Sequence, residues 1–105
     1  MPKQLILSPQ SRIDLHEILV YIAIANEDAA DRLMEAFDDA CKLLAENPLL
    51  GQKIDPPLHC HREVRRWPIK GFKAYIIYYV PITGGIEVLR FYHGKRDLRS
   101  GLLEQ

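Results

Sequence analysis

The sequence predicts an α+β fold in which a helical hairpin covers one face of a mainly antiparallel sheet. Three observations predict it. Apolar residues recur at helical spacing through two consecutive stretches in the first half of the chain. The connection between them, at Asn26, is too short to let them separate, so they must run antiparallel. The second half holds three β-branched and aromatic runs divided by glycine turns. A helical hairpin buries its stripe against one face of such a sheet, which makes a two-layer domain.

Gln4-Leu5-Ile6-Leu7 is apolar enough for an N-terminal strand. Ser8-Pro9 then starts a helix, with Ser8 capping free backbone N–H groups and Pro9 at the first helical position. Leu15, Ile18, Leu19, Ile22 and Ala25 follow on one face, while Arg12, Asp14, His16 and Glu17 are expected to face water. Asn26 is the next cap, and Glu27 and Asp28 suit the positive end of the helix dipole. In the second helix Ala30, Leu33, Met34, Phe37, Cys41 and Leu44 form the expected buried stripe. Asn47-Pro48 and Gly51 end it.

Gln52 to His61 reads as loop, since Pro56-Pro57 opposes regular structure. Glu63–Ile69, Lys73–Pro81 and Ile86–Tyr92 are the three antiparallel strands, turned at Lys70-Gly71 and at Thr83-Gly84-Gly85. The tail from Arg96 to Gln105 has Leu98, Leu102 and Leu103 at helical spacing, weakened by Gly101, and predicts a short tail helix. Strict alternation places Trp67, Ile69, Leu89 and Phe91 beneath the helices and turns Arg66, Arg90 and Tyr92 outward. A bulge in either strand would reverse that assignment.

The 105 residues are expected to form one domain, 1–105. A composition 48% hydrophobic and 27% charged is that of an ordinary globular protein. No apolar run reaches the roughly 18 residues of a membrane span, and the N-terminal apolar stretch is too short for a secretion signal. A cytoplasmic protein with reduced thiols at Cys41 and Cys60 is expected. The formal net charge is zero, but residues 1–52 carry four bases against nine acids and residues 53–105 carry ten bases against five acids. The halves therefore present opposite charge, and the second offers a basic surface to an acidic partner.

Several pieces of sequence match a known family in order. They are Asp14-Leu15-His16-Glu17-Ile18 with Tyr21-Ile22, Ala29-Ala30, and Leu44-Ala45-Glu46-Asn47-Pro48 with Leu50-Gly51. Two more follow, the basic and aromatic stretch from Arg65 to Tyr79 and the closing block from Val88 through Arg90, Tyr92, His93 and Arg96 to Leu98. On these residues the chain resembles the RelE/ParE toxin superfamily, and its ParE-like branch in particular, across nearly its whole length. The resemblance implies the toxin of a type II toxin–antitoxin pair. A ParD-like cognate antitoxin would wrap the toxin in a hetero-oligomer. The implied target is DNA gyrase, or its close relative topoisomerase IV, trapped on cleaved DNA without catalysis by the toxin.

The RelE-like alternative is a ribosome-dependent mRNA endonuclease. Such a site must activate a ribose hydroxyl, stabilise a phosphorane and protonate the leaving oxygen. His93 or Tyr92 suits proton transfer, and Arg65, Arg66, Arg90 and Arg96 suit a phosphate, with Arg65 the first choice among them. Under the ParE-like reading, Arg65, Arg66, Arg90, His93 and Arg96 are instead the candidates for binding the target. Arg96-Asp97 also fits a local ion pair, and Arg90 fits either a pair or a stack on Tyr92 or Tyr78. A third possibility is a chain that has lost toxicity and survives as an antitoxin-bound co-repressor. No cofactor is implied. His59-Cys60-His61 sets three metal-capable side chains in a row, but no matching pair stands elsewhere to close a zinc site. Cys41 falls on the apolar stripe and is expected in the core.

Overall fold

The computed structural model describes residues 3–55 and 62–94, the Lys73 side chain excepted. Strand β1 (Gln4–Leu7) runs directly into helix α1 (Pro9–Ala25). Ser8 makes the junction: its backbone is extended and its hydroxyl oxygen accepts the Ser11 N–H at 3.0 Å. Pro9 follows at the first helical position, where a missing donor costs nothing. Asn26 both ends α1 and starts α2 (Glu27–Glu46). Its N–H donates to the Ile22 carbonyl at 2.8 Å, and its side-chain oxygen accepts the Ala29 N–H at 3.0 Å. One residue shared by two caps leaves the helices only an antiparallel arrangement, as the spacing predicts.

Four more strands complete the sheet: β2 (Gln52–Lys53), β3 (Arg65–Ile69), β4 (Phe72–Ile82) and β5 (Gly85–His93). Their order is β1-β5-β4-β3-β2, with β1 parallel to β5 and every other pair antiparallel. Gly71 and Gly84, with φ of 84° and 81°, occupy the turns that need a left-handed residue. Strand β2 corrects the expectation of loop from Gln52 onward. Its two residues pair with Arg66 and Arg65, and a strand so short leaves no periodicity to read.

The helices bury their stripe on one face of this sheet. Leu33, Phe37, Cys41 and Leu44 of α2 meet Ile69, Ile77, Tyr79, Ile86, Val88 and Phe91, with Leu15 entering from α1. The Phe37 and Phe91 rings meet edge-on at 4.9 Å, a geometry that aromatic pairs favour. Trp67 packs against this cluster while remaining half-buried. The far face carries its own buried cluster of Val64, Ile76, Tyr78, Val80 and Tyr92, with Leu89 packed against it.

Leu89 therefore lies opposite to its expected face. Tyr78 pairs with Arg90 but Tyr79 pairs with Val88, so Leu89 is an extra residue on β5 and the alternation resets there. Val88 takes the place beneath the helices. Two further corrections concern the helices. Met34 is 39% exposed, and the buried stripe of α2 shifts toward Ala40 and Ala45. Asp14, expected to face water, is 4% exposed. The expected tail helix, Arg96–Gln105, lies outside the described residues, as does His59-Cys60-His61.

Candidate functional site

Arg90 sits where β1 runs out. The β1–β5 pairing ends at Leu7 opposite Val88, so the edge of β5 beyond that point needs other partners. The α1 junction supplies them. The Ser8 N–H donates to the Val88 carbonyl at 2.9 Å, and the Ser8 hydroxyl donates to the Leu89 carbonyl at 2.7 Å. Asp14, two turns of chain further on, accepts the Phe91 N–H at 3.0 Å. The same carboxylate takes the Arg90 side chain in a two-point contact, Nε to Oδ2 at 2.8 Å and Nη2 to Oδ1 at 3.0 Å. Both side chains are nearly closed to solvent, at 7% and 4% exposure. The guanidinium also lies over the Tyr92 ring, 4.4 Å from its centroid. Arg90 is thus paired with Asp14 and stacked on Tyr92, as one sequence reading has it; the expectation that Arg90 and Tyr92 project outward from an open face is corrected, since they are 5% and 1% exposed.

Sequence reasoning missed Asp14. A signal existed: Asp14 stands three residues after Ser11 and four before Ile18, on the side of α1 that is partly or fully buried. An acid at such a position requires a buried cation or donors, and Arg90 with the Phe91 N–H satisfies that requirement.

Arg65 is occupied differently. Its Nε donates to Glu63 at 2.7 Å, and its Nη1 donates to the carbonyls of Leu49 and Gly51 at 3.0 and 2.7 Å. Opposite it on β4, the buried Tyr79 hydroxyl accepts the Gly51 N–H and donates to the Pro48 carbonyl, both at 2.8 Å. Burial pushes the Tyr79 phenol up, against the opposing pull of the Gly51 N–H and the Arg65 charge. Gly51 allows this closeness, since a Cβ there would stand 2.5 Å from the Tyr79 oxygen and 2.8 Å from the Arg66 carbonyl oxygen. Arg65 and Tyr79 together fix the exit of α2.

The structure does not gather the remaining candidates into one cradle. Arg66, across from Tyr78, is half-buried and reaches the Gln52 amide oxygen at 3.4 Å. Tyr92 is 1% exposed on the far face, whereas His93 is exposed and stands edge-on to Tyr75 at 5.2 Å. Arg96 lies outside the described residues. Among the described residues no three His, Cys, Asp or Glu side chains gather as metal ligands. Burial, helped by Asp38, pushes the Cys41 thiol up to about 12, so its nucleophilic thiolate is suppressed at neutral pH.

Along the outer side of α1, Ile13, Val20, Tyr21 and Ile24 are 48, 46, 75 and 84% exposed. Between α2 and β3 a cleft of about 270 Å³ is lined by Ala36, Asp39, Ala40, Leu43, Trp67 and Lys70. Among the described residues no helix is long and apolar enough to cross a membrane.

Residues 5–98 match the family model described as the ParE toxin of type II toxin–antitoxin systems, parDE. Among solved structures, the chain is similar to one titled "Chromosomal ParDE TA system from P. aeruginosa", with a TM-score of 0.65 and 16% identity. That match covers 88% of this chain and 96% of the other, and at such low identity it establishes the shared fold. No curated protein sequence matches.

Proposed function

The chain belongs to the ParE toxin family of type II toxin–antitoxin systems, and from that premise we propose that it inhibits DNA gyrase and is neutralised by a cognate ParD-like antitoxin in the cytoplasm. The observation that carries the reading is the family match over residues 5–98, supported by the shared fold of the ParDE structure. The antitoxin completes the module, and the toxin–antitoxin complex is the resting form.

The proposed target contacts are Arg66 and His93, together with Arg96. Arg66 is half-buried on β3, and His93 is exposed at the end of β5. Arg65 and Arg90 contribute by holding the surfaces on which those contacts stand, because each is already engaged by a carboxylate. The endonuclease alternative would need Tyr92, Arg65 and His93 around one phosphate. No observation favours it: Tyr92 is buried on the far face, Arg65 is turned to the exit of α2, and His93 stands edge-on to Tyr75.

The test is controlled expression in growing bacteria. A DNA-damage response with supercoiling defects is expected. Abrupt translation arrest with cut mRNA would replace this reading by the endonuclease, and undisturbed growth would count against both.

A further inference from the structure

The exit of α2 presents two leucines to solvent on backbone that is held in place from the sheet. Leu49 and Leu50 are 67% and 47% exposed, and neither belongs to the buried cluster on either side of the sheet. Residues 47–51, Asn-Pro-Leu-Leu-Gly, carry no charged side chain. The Leu50 N–H donates to the Asn47 carbonyl at 3.0 Å and closes a turn around Pro48 and Leu49, with Pro48 at the position where its preset φ suits a turn.

Two strands clamp this turn. The Tyr79 hydroxyl of β4 accepts the Gly51 N–H and donates to the Pro48 carbonyl, both at 2.8 Å. Arg65 Nη1 of β3 donates to the Leu49 and Gly51 carbonyls at 3.0 and 2.7 Å, while its Nε is held by Glu63 at 2.7 Å. Tyr79 is wholly buried and Arg65 half-buried, so the clamp is rooted in the fold. Surface loops ordinarily leave such backbone groups to water. Here they are fixed by side chains, yet the leucines gain no burial from it. A loop that must be ordered on binding forfeits roughly tenfold in affinity for each residue fixed. A clamped turn avoids that loss.

We infer that Leu49 and Leu50 form a preorganised apolar knob that enters a pocket on the folded target enzyme, the gyrase of the proposed function. The inference rests on that function for the identity of the enzyme and adds a contact that electrostatics does not supply. A rigid projection needs a pocket whose walls already stand, which a folded enzyme offers. An antitoxin segment that wraps the chain instead brings its own apolar side chains to grooves, and has no pocket until it folds. The pocket is expected to be apolar, since the turn carries no charge. Arg65 and Tyr79 are positioning residues here: they hold the turn without needing to touch the target.

The experiment measures binding of the full chain to gyrase holoenzyme by surface plasmon resonance, beside thermal melts of every variant. Leu49→Ala and Leu50→Ala, at exposed positions, are expected to melt with the wild type. Each should bind gyrase roughly tenfold more weakly, because burying one leucine is worth roughly 10–100-fold. Tyr79→Phe, assayed well below its melting range, should release the Gly51 amide to faster hydrogen exchange and weaken gyrase binding several-fold. In a chain that already carries Leu49→Ala and Leu50→Ala, the same change should cause no further loss, because a clamp acts only through what it holds. An equal loss in that background would reduce the clamp to a feature of the fold and overturn the inference. Leucine variants that bind gyrase as tightly as the wild type would overturn it while leaving the proposed function standing. Leucine variants that lose only antitoxin binding would assign the turn to the antitoxin and overturn it as well. A wild-type chain that fails to bind gyrase would remove the proposed function and this contact together.

Discussion

Removing the Asp14 carboxylate is expected to cost more stability than any surface substitution in this chain. Asp14→Ala deletes an acceptor of three hydrogen bonds, two from Arg90 and one from the Phe91 N–H, all between 2.8 and 3.0 Å. At 7% exposure the Arg90 side chain loses its carboxylate where water cannot replace it fully. Breaking a buried ion pair by removing one partner costs about 3–5 kcal/mol, a large share of the roughly 5–15 kcal/mol that holds a domain together. For a chain of this length about 1 kcal/mol moves Tm by about 4 °C, so a fall of about 12–20 °C is expected. Urea unfolding followed by circular dichroism supplies the free energy, and thermal melts supply Tm. Asp14→Asn keeps an acceptor oxygen and should lose about half as much. The double variant Asp14→Leu with Arg90→Met should be more stable than Asp14→Ala, because no charge is then buried. An Asp14→Ala loss within about 1 kcal/mol of wild type, or a double variant no better than the single, would refute the account of this pair.

The same geometry predicts that Arg90→Ala lowers stability by a comparable amount, so any loss of toxicity must be read beside an unfolding curve. Gly51→Ala should destabilise by about 1–3 kcal/mol, since its Cβ collides with Tyr79 and the Arg66 backbone; a melt unchanged from wild type would contradict the packing. Tyr79→Phe should cost about 1–3 kcal/mol by leaving the Gly51 N–H and Pro48 carbonyl without their shared partner, measurable by the same denaturation. Cys41 titrates at about 12 in the fold against 9.0 for a free thiol. A raised folded pKa means the native state holds the proton more tightly, so the contribution is whole below pH 9 and is lost as pH rises toward 12. Comparing wild type with Cys41→Ala across that interval should reveal a difference in stability that shrinks by up to roughly 4 kcal/mol. A pH-independent difference would contradict the burial.

Much of the fold was legible because its signals are local. Ser8-Pro9 and Asn26 announce the helix starts, and Gly71 and Gly84 mark the turns by their backbone requirement. The stripe of α2 could be read because its outer side is charged. That of α1 was half legible: Leu15, Ile18, Leu19 and Ile22 were found, while Ile13, Val20 and Ile24 passed unnoticed on the other side and Tyr21 was read only as part of the family match. Periodicity detects contrast, and a helix apolar on two sides offers little. The face of Leu89 was out of reach, because the register shift between Tyr78 and Tyr79 depends on how two strands meet. The site was the least legible part. Arg90 and Arg65 were singled out as charged residues, but their engagement with Asp14 and with the Leu49 and Gly51 carbonyls joins positions far apart in sequence. Residue type foretold a cation; only the fold revealed what held it.

Purified chain added to DNA gyrase on relaxed plasmid tests the central claim most directly. The account predicts that supercoiling falls as the chain is titrated in and that cleaved, protein-linked DNA accumulates. It predicts too that a ParD-like antitoxin, added first, prevents both. Gyrase working at its full rate beside a folded chain that stops bacterial growth would contradict it.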